Sequence, residues 1–409
     1  MPDAQNSAAA PALPRFAVLV LSLAAFASGV SLRLTDPLLP LFSREFGVSL
    51  GSAATTITAF SVAYGLSQLF FGPVGDRFGK YRVIAWACVA CALTASLCGL
   101  AQGFTLLVAA RLVAGATAAA IIPLSMAWIG DVVPYEQRQP VLARFLIGQI
   151  LGLSTGVFVG GFAADHLSWR VPFFGIALFF IAISLGLFAI NRRLPAHLGT
   201  AAAAAGPRPG LVAEFRAVIA TRWARLVLGT VFCEGAALYG PYSFVAAHLH
   251  LRFGLPLARV GALVMLFAIG GLAFAFGSKR LVRRLGETGL VGAGSALMSA
   301  GLFAIAFAPA WGWAVPACLV IGLGYYMMHN TLQTQATQMA PERRGAAVAA
   351  FAACFFLGQS VGVGGVGLLI GRVGTGAALA AGGALLPLIA WRFNRQRAAL
   401  RSPSVALRV

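Results

Sequence analysis

Charge is what this chain has least of. Only 10% of its 409 residues are Asp, Glu, Lys or Arg, and 59% are hydrophobic, whereas a soluble domain carries roughly 25% charged residues. A single aqueous core stops growing near ~250–300 residues, so so apolar a chain has no way to hide its side chains in water. Acids are scarcer still, 11 against 30 Lys and Arg, for a net charge of +19. In a soluble protein that balance would point to nucleic acid. Here the cations stand between apolar segments, without a basic domain interleaved with aromatics, and nucleic acid is excluded as a partner. The six cysteines (Cys88, Cys91, Cys98, Cys233, Cys318, Cys354) all fall inside apolar runs. Cys88-x-x-Cys91 lacks the second pair that metal or redox chemistry needs, and the six read as small hydrophobes. The five histidines are scattered, and His248-x-His250 has too few partners for a metal site. No converging nucleophile or metal cluster is legible, so the expectation is no enzyme, no metal and no cofactor. No long hydrophilic stretch leaves room for a separate soluble domain.

What is present is a recurring apolar run of helix length. Spanning a ~30 Å hydrocarbon layer takes ~20 helical residues. Spans are expected at 16–42, 51–75, 82–101, 104–128, 140–164, 171–191, 223–247, 257–281, 288–309, 312–337, 345–371 and 376–393. The first is read as a retained helix and not a cleaved signal, since it continues through Asp36, Pro37 and Pro40. Lys and Arg concentrate in alternate loops: Arg77, Lys80 and Arg82; Arg138 and Arg144; Arg192 to Arg225; Lys279 to Arg284; Arg343 and Arg344; and the tail from Arg392 to Arg408. Cytoplasmic loops carry that excess, so both termini are expected in the cytoplasm. An Ala/Gly/Pro-rich stretch in mid-chain reads as a linker. The domains expected are 1–193, a six-helix bundle; 194–222, a cytoplasmic linker; and 223–409, a second bundle with a short tail.

The halves echo each other. Gly148-Gln149-x-x-Gly152 recurs as Gly358-Gln359-x-x-Gly362, and Pro134-x-Glu136-x-Arg138 as Pro341-Glu342-x-Arg344, offset by about 206–210 residues, the mark of a parallel repeat of two halves.

Between the second and third spans stands Gly72-Pro73-Val74-Gly75-Asp76-Arg77-Phe78-Gly79-Lys80-Tyr81-Arg82. The string resembles the major facilitator signature G-x-x-x-D-R-x-G-[RK]-[RK], departing from it only where Tyr81 replaces the second basic residue. The resemblance implies an all-α integral membrane fold of twelve transmembrane helices in two six-helix pseudo-symmetric bundles. It also implies a conformational latch on the cytoplasmic side made by Gly72, Gly75, Asp76, Arg77, Gly79 and Lys80. The competing reading is a tight turn with inside-positive charge.

Charges inside apolar spans are costly and mark pathways or relays. Four occur: Arg33 and Asp36 in span one, Arg111 in span four and Glu234 in span seven. At 1.5 Å per residue, Asp36 lies roughly 12 Å and Arg111 roughly 10 Å below the outer surface, level and opposite in sign, so a pairing is expected. Arg33 lies one turn below Asp36 on the same face. A carboxyl in an apolar cavity favours its neutral form and a nearby guanidinium the charged one, so moving one past the other would load and release a proton. The alternative is a static pair that only fixes packing.

Asp36-x-x-x-Pro40 and Arg111-x-x-x-Gly115 resemble motifs of proton-coupled drug and metabolite exporters (the arabinose-efflux-like branch). That resemblance implies proton coupling by Asp36 and Arg111; Glu234 and Arg33 join them as candidates because they are the other charges at membrane depth. Gly152-x-x-x-Gly156-x-x-x-Gly160-Gly161 resembles the antiporter motif, with Val157 in the proline position, and is expected to pack helices closely. Gln149, Tyr239, Tyr325, Tyr326, His329, Asn330, Gln333 and Gln359 are expected to line a substrate cavity, against the plainer reading of interhelical hydrogen bonds. The expectation is a monomeric, proton-coupled exporter of a small organic compound (drug, metabolite or sugar) in the lipid bilayer of a bacterial inner membrane. Proton-coupled uptake is the near alternative.

Overall fold

The computed structural model describes residues 16–194 and 210–401. The centre of the expected linker (195–209) and the last tail residues, Arg408 among them, lie outside these. The described residues are almost wholly helical and contain no strand. In order they form α1 Ala17–Arg33, a 3-10 turn Asp36–Leu38, α2 Leu39–Glu45, α3 Leu50–Ala53, α4 Thr55–Phe78, α5 Lys80–Gly99, α6 Phe104–Ala118, α7 Ile121–Val132, α8 Tyr135–His166 and α9 Val171–Asn191. From residue 210 onward come α10 Leu211–Ala220, α11 Arg222–Tyr242, α12 Val245–Phe253, α13 Leu257–Phe307, α14 Ala314–Gln338 and α15 Arg344–Arg401.

Among the described residues, nine helical stretches are long and apolar enough to cross a membrane. Two of them are double-length. The 51 residues of α13, roughly 75 Å at 1.5 Å each, exceed two hydrocarbon thicknesses and break at Gly286, where φ is +61°. The 58 residues of α15 break in the same way at Gly374, φ +78°. Glycine takes that conformation without steric cost. Counting both helices twice and adding α11 with α12 would bring nine to the expected twelve. Large apolar side chains face outward, Leu368 at 85% and Phe276 at 84% exposure, a surface suited to lipid and not to water.

Four expected spans are broken, span two only near its start, at Ala54 between α3 and α4. Span one stops at Arg33, because Pro37 has no N–H to return to the carbonyl four residues back. Span four is interrupted at Ala119 and Ala120, four and three residues before Pro123, and span seven just after Pro241. A further correction concerns the linker, expected at 194–222. It contains helix α10, whose Val218 is fully buried against the second core, and Thr221 then caps α11 by accepting from Ala224 N at 3.1 Å.

Two large apolar cores form, one from Ala17 to Leu194 and one from Val218 to Phe393, joined where Phe244, Val363 and Ile370 enter the first and Val157 the second, beside a small cluster of Phe274, Leu290 and Met327. Glycines set how closely the helices meet. A Cβ added at Gly148, Gly152, Gly156 or Gly160 of α8 would fall on the carbonyl oxygens of Ser22, Phe26 and Val30 of α1 and of Leu34 just after it. Both helices advance four residues per contact, so their backbones touch along a stripe. Gly358 and Gly362 of α15 meet Phe232 and Ala236 of α11 in the same way. Both partners are displaced by 210 residues from Gly148–Ser22 and Gly152–Phe26, so the repeat seen in sequence is a repeated backbone contact. Gly161 points the other way, onto Leu257 of α13.

Gly152→Ala is therefore expected to lower stability by ~1–3 kcal/mol through overpacking. Gly130→Ala in α7, where a Cβ meets open space, should gain up to about 1 kcal/mol from helix propensity. Unfolding of both variants in detergent measures the difference.

Candidate functional site

The break after α1 builds the site. It places Arg33 at the end of one helix and Asp36 at the start of the 3-10 turn, both buried, with Nη1 of Arg33 3.2 Å from Oδ2 of Asp36. The broken turn also leaves backbone carbonyls needing donors. Arg111 of α6 meets that need. It donates from Nη1 to Ser31 O at 2.8 Å, from Nε to Thr56 O at 3.3 Å and from Nη2 to Thr35 Oγ1 at 3.5 Å, with the Phe60 ring 4.2 Å from its carbon. The expected pairing of Asp36 with Arg111 is thus not formed. Fixed carbonyls at the break and on α4 hold the fully buried Arg111, and Asp36 takes the nearer cation, Arg33.

Arg33 does more than pair. Its guanidinium lies 4.0 Å from the centre of the Tyr239 ring on α11, in the other half of the chain. Arg33, Asp36, Tyr239, Tyr242, Ser154, Val157 and Phe267 surround a cavity of about 30 Å³, the volume share of about one water molecule. From Tyr239 an aromatic series continues. Tyr325 meets it edge-on at 5.5 Å, and His329 stacks on Tyr325 at 4.8 Å and meets Phe355 at 4.7 Å. His329 Nδ1 is 2.9 Å from Oε2 of the fully buried Glu234. Two buried carboxylates, one in each half, are so joined through Arg33, Tyr239, Tyr325 and His329. Each keeps one oxygen, Asp36 Oδ1 and Glu234 Oε1, without a hydrogen-bond partner among the described residues.

The remaining expected cavity residues divide. Asn330 and Gln333 are half-buried on α14, and Gln149 is half-buried on α8 beside the α1 contact. Tyr326 instead fills the space beside Gly271 of α13. Gln359 is a correction as well: it is fully buried and its Nε2 donates to Ser61 Oγ of α4 at 3.0 Å. The flanking contacts of Gly358 and Gly362 with α11 turn it toward the other half. Sequence reading missed Tyr242, Phe267, Phe60, Phe355 and Ser154. Tyr242 alone carried a signal, three residues from Tyr239 on one helical face.

Contacts between the halves run from mid-depth to the Arg-poor end. There Gly51 meets Gly367, Gly261 meets Val157, and Asp165 Oδ2 accepts Ala258 N at 2.6 Å in the first turn of α13, where a carboxylate suits the helix dipole. At the Arg-rich end, Lys80 Nζ lies 3.0 Å from Asp76 and 2.6 Å from Asp131. Both partners belong to the first half, so the expected latch across the halves is not made by Lys80. The halves are held at the opposite end, and Lys80 ties the α4–α5 turn at Gly79 (φ +89°) to the end of α7. Gly75 faces Leu124 of α7, Gly72 faces open space, and Arg77 lies 5.2 Å from the Phe78 ring.

A family model described as Major Facilitator Superfamily matches residues 21–363. The MFS-type transporter YceJ of Bacillus subtilis (strain 168) is 26% identical over 349 residues, which span 84% of this chain and 86% of that protein. The multidrug export protein EmrB of Haemophilus influenzae is 28% identical over 172 residues, covering 42% of this chain and 32% of EmrB. Among solved structures, a bacterial homolog of the human lysosomal transporter Spinster, inward-facing and unoccupied, superposes with a TM-score of 0.72 at 17% identity, over 93% of this chain and 95% of that one.

Arg111→Lys keeps the charge but loses the planar fork that reaches α1 and α4 together. At least about 2 kcal/mol of stability should be lost with those charged hydrogen bonds, read as a lower unfolding midpoint in detergent.

Proposed function

We propose that this chain, which belongs to the Major Facilitator Superfamily, exports a small organic compound in exchange for protons across a bacterial inner membrane. It is a multi-pass membrane transporter and not an enzyme. In the proposed orientation both termini and the Arg-rich end face the cytoplasm. The contacts that close the Arg-poor end then make this an inward-facing arrangement, ready to take cargo from the cell.

The observation that carries the coupling is Arg33, held by Asp36 at 3.2 Å while its face rests 4.0 Å over Tyr239 of the other half. A proton arriving on Asp36, at the oxygen that lacks a partner, removes the negative charge that anchors Arg33. The guanidinium is then free to leave Tyr239, and the two halves lose a tie at mid-depth. That proton comes from the outer side, taken up after cargo has departed there; the halves then rock back, and loss of the proton to the cytoplasm resets the pair. Glu234 with His329 offers a second proton station beside the same aromatic series. The rings of Tyr239, Tyr242, Phe267, Tyr325 and Phe355 favour a cargo with an aromatic or lipophilic body. The resemblance to a named multidrug exporter supports the outward direction. Val157, lining the Asp36 cavity where the antiporter motif has proline, favours proton-coupled uptake as the second reading.

Inside-out vesicles with an acid interior test the direction. A transported compound should dissipate the pH gradient in wild type and leave it intact in Asp36→Asn. If no compound dissipates it while one accumulates in intact cells, uptake is the correct reading.

Tyr239→Phe keeps the ring face and should retain exchange within about twofold. Tyr239→Leu removes a cation–π contact of ~0.5–2 kcal/mol and should slow exchange by up to about thirty-fold. Equal loss in both variants would remove Tyr239 from the coupling.

A further inference from the structure

A second concavity lies away from the central site, between α11 and the second arm of α15. It is a groove of about 750 Å³, within the range of ligand pockets. From α11 it takes Arg222, Arg225, Leu226, Gly229, Thr230 and Cys233, spaced along one helical face. From α15 come Leu385, Leu388 and Ile389, then Arg392. Leu385 and Leu388 are half or more exposed, so the groove opens onto the lipid-facing surface. From Arg222 to Cys233 it runs roughly 16 Å along α11, about half of a ~30 Å hydrocarbon layer. Its depth is that of one leaflet.

Its charge is of one sign. Three arginines line it and no carboxylate does. Arg222 and Arg392 have no hydrogen-bond or ion-pair partner among the described residues. Arg225 donates from Nη1 to the last carbonyls of α10, Ile219 O at 3.2 Å and Ala220 O at 2.9 Å. Arg222 and Arg225 stand in the first turn of α11, whose N-terminus also favours an anion, and Arg392 faces them from α15. Below them the walls are apolar and small, with Gly229 leaving open space. Cations at one end and an aliphatic channel one leaflet deep match one molecule, a phospholipid with an anionic headgroup.

We propose that this groove binds an anionic phospholipid from the leaflet facing the Arg-rich end. The phosphate sits among Arg222, Arg225 and Arg392, and an acyl chain lies along Leu226, Gly229 and Leu388. The site is separate from the transport pathway and holds α10, α11 and the second arm of α15 together at the membrane surface. It does not depend on the direction of transport.

Native mass spectrometry of the full chain in detergent, titrated with phosphatidylglycerol or phosphatidylcholine, tests it. Wild type should retain phosphatidylglycerol preferentially. Each arginine near an anionic lipid contributes about fivefold, so Arg222→Gln with Arg392→Gln should weaken phosphatidylglycerol binding about 25-fold and phosphatidylcholine, whose choline offsets its phosphate, by much less. Gly229→Leu keeps every charge but fills the channel, and should weaken both lipids. Arg280→Gln with Arg283→Gln, exposed cations outside the groove, should change binding less than twofold. Phosphatidylglycerol binding unchanged in the Arg222/Arg392 pair, or lost equally in the Arg280/Arg283 pair, overturns the proposal, as does a Gly229→Leu variant that binds like wild type.

Discussion

A guanidinium buried at membrane depth must find acceptors for its N–H groups, and the first half of this protein is arranged around that demand. Arg111 finds them on the broken end of α1 and on α4. The break at Pro37 frees the α1 carbonyl, Ser31 O, while on α4 the Thr56 carbonyl accepts with its second lone pair. Without Arg111 the freed carbonyl would be left in an apolar surround at a cost of ~1–3 kcal/mol. The two features stabilise each other, and together they fix where Arg33 and Asp36 stand.

The architecture repeats, but the chemistry does not. The same glycine spacing presses α8 onto α1 and α15 onto α11, so each half has a pair of helices in backbone contact. The Arg33–Asp36 pair belongs to the first half, and the Glu234–His329 pair to the second. Asymmetric chemistry on a symmetric frame suits a cycle in which one half acts on the other. The meeting point is Arg33 over Tyr239, 4.0 Å from the ring centre. Packing of the halves is concentrated at the Arg-poor end and mid-depth, which leaves the opposite end free to differ between states.

Lipid enters the account twice. It is the solvent that makes a chain with 10% charged residues stable, and in the proposed groove it is also a ligand. Both roles follow from one distribution of residues, with apolar side chains outward at depth and arginines at one surface.

The sequence alone determined that the chain is helical and membrane-embedded, because hydrophobic run length and loop charge depend only on local composition. It also determined the glycine repeat, since Gly148, Gly152, Gly358 and Gly362 are spaced by helical geometry, and it pointed to the four charges in the spans. It misjudged their partners. Depth along a helix placed Arg111 level with Asp36, but depth does not say which way a side chain turns or which carbonyls a proline break sets free. Only the tertiary structure decided that Arg111 holds backbone, that Gln359 binds Ser61, and that Lys80 stays within its own half. These choices depend on neighbours 51 to 298 residues away, brought together by packing, and no local spacing records them.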